Sequence, residues 1–421
     1  MNNKVMKTRV YYGEYSLRHW LDLMLSKNII LPDYQRSFVW EENDVKRLIE
    51  SLKSGQFVMP VTIAHYKKKE ESKNIILDGQ QRLTSLLLAY LGYMPVKDKF
   101  IATEDDLAMG DDSQEETIGT PMEWTFKKIL SSKEQENTLP LVTERLRKDD
   151  RYSEMKIEFD GKMDDFYDGT YLGFSFIIPE NGNPTDTQNY FSTLFRHMNY
   201  FGKKLSALES RRSLYYMNIQ YKNYFEGKLE NDNDVLCGIR LLENKIPRKI
   251  DFVRYLSMLS QYTVNKNVNK VMVGYSAYSS RESYFADYVA YLAKLEQDDR
   301  KDKFDGFKMA NTFPQNEWMA RFETVKSFIE NHKKDLGLDE KVNAFTSWID
   351  TDYWLFGLLY YVVFEGKKIV RDNELIDELK KEIRVKRALP PADDYSKNPN
   401  RLGNLRERMK KSLEIYEKYA E

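Results

Sequence analysis

The chain has 421 residues, with 65 Lys and Arg against 66 Asp and Glu, so no global basic field marks it as a nucleic-acid binder. That length predicts two domains, and a composition of 41% hydrophobic and 14% aromatic residues supplies folded cores and excludes general disorder. A single cysteine excludes an internal disulfide and a cysteine-based zinc site.

From the start, residues 1–10 are polar and lack the apolar core of a secretory signal. Leu17, Trp20, Leu21, Met24 and Leu25 have helical spacing behind Ser16, which predicts a capped amphipathic helix. Pro32 disfavours helix at Leu31, so Leu31 to Trp40 reads as an extended segment feeding a helix that begins near Asn43 or Asp44. That helix buries Val45, Leu48, Ile49 and Leu52 and stops at Gly55. Val58 to Tyr66 and Asn74 to Leu77 read as strands joined by a charged turn, and Leu83 to Leu91 as a buried helix.

An acidic stretch from about 98 to 121, with Asp105-Asp106, Asp111-Asp112 and Glu115-Glu116, has the composition of a long insertion. Lys156 to Phe159 and Thr170 to Ile178 read as further strands. Glu158 to Lys162 carries an acidic-lysine trio superficially like that of some nucleases, but no Pro-Asp precedes it. Thr185 or Asp186 can cap a helix running to Met198, and Ser206 with Glu209 makes a capping box for the next. Cys237 sits among Val235, Leu236 and Ile239, where a small buried hydrophobe is expected.

Beyond about residue 230 the spacing is helical: Phe252, Val253, Leu256 and Leu259 share a face, then Tyr284, Phe285, Tyr288, Tyr291 and Leu292, then Trp318, Phe322, Val325 and Phe328. These aromatic stripes read as core rather than as a base-stacking platform. The longest apolar run, Trp354 to Phe364, falls short of the roughly 20 residues that span a bilayer. A cytoplasmic protein is expected. Pro390-Pro391 breaks the pattern before a last helix from about Pro399 to Tyr419. Basic residues concentrate between Lys380 and Lys411; if Arg384, Arg387 and Arg406 cluster they can meet DNA phosphates, although charged helix faces are commonly just solvated.

The most informative residues are Asp78-Gly79-Gln80-Gln81-Arg82, placed where the strand Ile75-Ile76-Leu77 hands over to the helix. A glycine at a strand-to-helix junction lets backbone N–H groups and the positive helix end face an anion, commonly phosphate. Gln80, Gln81 and Arg82 add donors for phosphate oxygens or for orienting a water, and Asp78 can hold Mg²⁺ or a ribose hydroxyl. A plain capped helix, with Asp78 accepting from the first turn, explains the same residues. Upstream, Tyr34, Gln35 and Arg36 precede Phe38 and Trp40 on a loop, where Arg36 is either a stacked structural group or a functional cation.

In order, Tyr34-Gln35-Arg36-x-Phe38-Val39-Trp40, Pro60-Val61, Leu77 to Thr84, and Leu194 to Arg211 with Asn199, Gly202 and Glu209 resemble the N-terminal domain family of GmrSD-type restriction proteins. The resemblance covers roughly residues 10 to 230. It implies a ParB/sulfiredoxin-like mixed core for a nucleotide-binding domain at 1–230; with the helical spacing beyond it, the expected fold is α+β, with an all-helical domain at 231–421. It further implies an NTP site at the DGQQR motif: Asp78, Gln80, Gln81, Arg82 and Arg36 catalytic, Gly79, Tyr34, Gln35 and Asn199 lining the nucleotide, and Mg²⁺ on Asp78.

Well-known members cut modified DNA through a C-terminal HNH domain or a separate nuclease. Here the histidines are His19, His65, His197 and His332, with no C-terminal cluster for such a centre, so cleavage is expected of a partner nuclease. The expected function is an NTP-binding and NTP-hydrolysing sensor in defence against foreign DNA. The competing expectation is a recognition module gripping DNA without breaking a bond, and the weakest makes the chain itself a nuclease.

Overall fold

The computed structural model describes residues 7–32, 37–68, 71–100, 108–109, 124–180, 187, 190–191, 194, 207–216, 218–230, 233–243, 246–275, 277, 280–294 and 304–421. It is an α+β protein of two units, one of residues 1–103 and 117–217, the other of 104–116 and 218–421.

The first unit is built on a five-stranded mixed sheet. Strand β1 (Thr8–Ser16) runs into α1 (Leu17–Leu25), followed by β2 (Ile29–Ile30), α2 (Glu42–Lys53), β3 (Val61–Lys68), β4 (Glu71–Asp78) and α3 (Gln80–Leu91). After β5 (Tyr93–Pro95) come α4 (Leu139–Arg147), β7 (Tyr152–Glu154), α5 (Met163–Gly169) and β8 (Tyr171–Pro179), while Ala108–Met109 forms β6 of the other unit. The sheet order is β1-β8-β3-β4-β2, with β3 antiparallel to β4 and parallel to β8.

Alternation along β3 and β4 divides their side chains between two cores. Ile63 and Ile76 join the large one with Trp20, Leu86 and Tyr167, while Ala64, Ile75 and Leu77 pack with Ile177 and Phe191. Helix α1 buries the five apolar residues that its spacing selects, and the Ser16 side chain accepts from the His19 N–H at its start. Helix α2 is closed by a capping box between Glu41 and Asp44. Helix α3 buries Gln80 and Gln81 along with its leucines, as fits the central helix of the unit.

Three expectations change. Strand β1, TRVYYGEYS, has no clean apolar alternation because it is an exposed edge strand, and the polar N-terminal reading passed over it. Lys156 to Phe159 is not a strand; the short pairing lies earlier, at Tyr152–Glu154, opposite β5. The C-terminal region is mostly helical but not wholly so, because β9 (Arg240–Glu243), β10 (Ile246–Ile250) and β11 (Ala344–Phe345) join β6 in a small sheet. These strands are too short to show a period of two. Apart from β6, the heart of the acidic stretch lies outside the described residues, as does most of the helix expected at 185–198.

In the second unit the aromatic stripes are core. After the short helix α6 (Ala207–Arg212) of the first unit, the helices of eight or more described residues are α7 (Ile219–Glu226), α8 (Phe252–Asn265), α9 (Arg281–Leu292), α10 (Trp318–His332), α11 (Trp348–Leu358) with a π-helical continuation through Phe364, α12 (Asp372–Arg387) and α13 (Leu402–Glu417). Phe252, Tyr284, Tyr288, Trp318, Phe322 and the whole Trp354 to Phe364 run are buried. Among them lies a charged centre. The Asp352 carboxylate accepts from Arg254 at 2.5 and 3.1 Å, from Arg408 at 2.7 Å and from the Tyr255 hydroxyl at 2.9 Å, and the three charged side chains are 0% exposed. Cys237 is half-buried, and burial first, then nearby Glu330 and Asp234, push its thiol up to about 11, which disfavours the thiolate.

Candidate functional site

Strand β4 passes into α3 through one residue. Gly79 has φ +98°, and a Cβ there would lie 3.0 Å from Val61 Cγ2 and 3.2 Å from Val61 Cα, so both backbone conformation and space require glycine. Val61 opens β3, and its closeness to Gly79 brings the preceding carbonyls, those of Met59 and Pro60, to the start of α3.

Arg82 uses that proximity. Its Nη1 donates to Met59 O and, at 3.2 Å, to Pro60 O, while Nη2 donates to Asp78 Oδ2 at 2.5 Å. Asp78 is therefore committed to an i, i+4 ion pair, and Gly79, the residue at the cap position, has no side chain to offer the helix. Three of the five guanidinium N–H groups are used; Nε and the second Nη2 hydrogen have no partner among the described residues. The Arg82 side chain is 12% exposed and that of Asp78 47%, so the pair sits at the surface end of the sheet, where an anion can reach it.

Gln81 is engaged on both sides. Its Oε1 accepts from the Val39 N–H at 2.9 Å and its Nε2 donates to Ser37 O at 3.1 Å. The segment between these contacts is pinned a second time, since Phe38 N–H donates to Trp124 O at 2.7 Å and the buried Phe38 ring meets Trp124 edge-on. The two sequence blocks are thereby joined: the residues that follow Arg36 are bonded to the DGQQR helix. Gln80 is 4% exposed, so it is not a solvated surface glutamine. Tyr34, Gln35, Arg36 and Asn199 lie outside the described residues.

Sequence reasoning missed the Met59 and Pro60 carbonyls, because main-chain acceptors leave no mark in a sequence. It also missed Thr84 and Ser85, two and three residues beyond the motif, whose buried hydroxyls find no hydrogen-bond partner among the described residues. Among the described residues no group of three or more His, Cys, Asp or Glu is arranged to hold a metal ion. No described helix is long and apolar enough to cross a membrane.

The C-terminal basic residues are placed differently from a phosphate-binding row. Arg387 donates to Asp350 and Thr346, and Arg406 donates twice to Val271 O, at 3.2 and 2.5 Å. Lys386 pairs with Glu407, Lys380 with Asp335 and Arg401 with Asp394. Arg384 is exposed on α12.

Residues 19–216 match the family described as "GmrSD restriction endonuclease, N-terminal domain". The chain is also similar to an uncharacterized protein of Methanocaldococcus jannaschii, at 27% identity over 48% of this chain and 42% of the relative. It thus spans less than half the length of that relative.

Proposed function

Residues 19–216 belong to the GmrSD restriction endonuclease N-terminal domain family, and on that premise we propose that this chain is the nucleotide-binding and NTP-hydrolysing switch of a prokaryotic restriction or anti-phage defence system. A partner nuclease cuts the foreign, modified DNA. The observation that carries the reading is the β4–Gly79–α3 junction, where the start of a buried helix, a half-exposed carboxylate and an arginine with donors to spare meet at the surface end of a sheet.

In this reading Arg82, Gln80 and the first amides of α3 receive the phosphates. Arg36 adds positive charge as the phosphate oxygens gain negative charge in the transition state. Tyr34, Gln35 and Asn199 complete the pocket. Asp78 meets the ribose or Mg²⁺; one carboxylate at the junction suits a cation held chiefly by phosphate oxygens, the usual manner for magnesium. When bound, that ion neutralises charge on the phosphates.

The test is incubation of the purified protein with each of the four NTPs and Mg²⁺, with and without modified DNA, following phosphate release and DNA integrity. Phosphate release with intact DNA is expected. Tight DNA binding without nucleotide binding or turnover would replace this reading by a non-catalytic recognition module, and cleavage by the chain alone would remove the partner nuclease.

A further inference from the structure

In an extended segment the C=O of one residue and the N–H of the residue two positions on point to the same side, spaced to receive a primary carboxamide through both its atoms. Gln81 meets Ser37 O and Val39 N–H in this way, at 3.1 and 2.9 Å, from a side chain on a residue only 7% exposed. Its orientation is set by chemistry, since Ser37 O can only accept and Val39 N–H can only donate. Among the described residues the amide has one hydrogen and one acceptor direction left, and burial keeps both from bulk solvent.

We infer that Gln81 is a positioning residue: it docks the Ser37–Val39 segment, which directly follows Arg36 in the sequence, onto the first turn of α3, and it touches neither phosphate nor attacking water. Two glutamines adjacent in sequence thus divide their work. Helical geometry supports the division, because successive residues on a helix point about 100° apart, so a side chain directed at residues 37–39 is turned away from its neighbour's direction. Arg82, one step further, turns toward Met59 and Pro60. The DGQQR helix start therefore holds two separate loops, one through Gln81 and one through Arg82.

The part of this inference that concerns catalysis rests on the proposed nucleotide site; the docking does not. Gln81→Glu is the discriminating variant, because it keeps an acceptor for Val39 and replaces the donor to Ser37 by an oxygen that repels that carbonyl. Hydrogen exchange of the intact protein should rise about tenfold or more in a peptide covering residues 33–40, with β3, β4 and β8 unchanged. Unchanged exchange in that peptide overturns the docking. Should Gln81→Glu not fold, Gln81→Asn, one methylene shorter, carries the same comparison.

Turnover supplies the second arm. Gln81→Glu and Arg36→Ala should each slow phosphate release, and the double variant should be no slower than Arg36→Ala alone, because one acts through the other. Multiplying losses would place Gln81 on the reacting groups and overturn the positioning role. If the unaltered protein turns over no nucleotide, the function proposed above fails, and hydrogen exchange alone decides the docking.

Discussion

Arg82 Nη2 lies 2.5 Å from Asp78 Oδ2, so the first and last residues of the DGQQR motif are bonded to each other across the glycine that separates strand from helix. The same guanidinium grips the Met59 and Pro60 carbonyls. A single side chain thus joins the end of β4, the approach to β3 and the start of α3, and keeps two N–H groups that no described residue engages.

Arg82→Ala tests how far this arginine serves chemistry. Loss of one charge-stabilising donor costs about 3 kcal/mol of barrier, roughly a hundredfold in phosphate release. The fold should persist with a loss of about 1 kcal/mol, since the orphaned Met59 carbonyl belongs to an exposed residue and can turn to water. Unchanged turnover with a lowered Tm would make Arg82 a structural clamp only. Arg82→Lys, which keeps the charge and loses the planar fork, should recover little.

Gly79→Ala should destabilise by about 2 kcal/mol, from the left-handed backbone and the collision with Val61. Gly55→Ala is the matched control: its φ is +64° and a Cβ there meets nothing within 4 Å, so it carries the backbone cost alone. Urea unfolding of the two variants separates the terms. Equal losses would mean that the close approach to Val61 costs nothing.

What could be read from the sequence was local. Ser16 with the Leu17 to Leu25 stripe, Val45 to Leu52, and the apolar Ile75 to Leu77 run followed by the Leu83 to Leu91 helix each signal their own structure through spacing and caps. The order β1-β8-β3-β4-β2 is not local: β8 enters between β1 and β3 from far along the chain, and no periodicity encodes that. The same limit governs the site. Asp78, Gly79 and Arg82 were legible as a junction, but the acceptors that fix Gln81 and Arg82 are main-chain groups of Ser37, Met59 and Pro60, identical in kind to those of any residue.

Asp352→Asn should cost about 3 to 5 kcal/mol, because it leaves Arg254 and Arg408 buried without their counter-charge. Desolvation opposes the Asp352 charge, but the two guanidinium groups outweigh it and hold the carboxyl below the ordinary aspartate range. Chemical denaturation of the full chain, with the second unit followed by hydrogen exchange, measures the loss. A change under about 1 kcal/mol would show that the arginines find other partners.

Asp350 behaves in the opposite sense. Burial pushes its carboxyl up to about 6, against the pull of Arg387 and the hydrogen bonds from Thr346 and Ser347. An unfolded aspartate titrates near 3.9, so between about pH 4 and 6 the folded chain binds more protons here than the unfolded chain, and stability falls as pH rises. The contribution is complete below pH 4 and lost above pH 6, on the order of 3 kcal/mol for a shift of about two units. Asp350→Asn cannot titrate, and its unfolding free energy minus that of the unaltered protein should climb by about that amount from pH 4 to pH 7. Other groups cancel in the difference. A flat difference would mean that Arg387 holds the charged form as well as water does, and that burial of Asp350 carries no electrostatic cost.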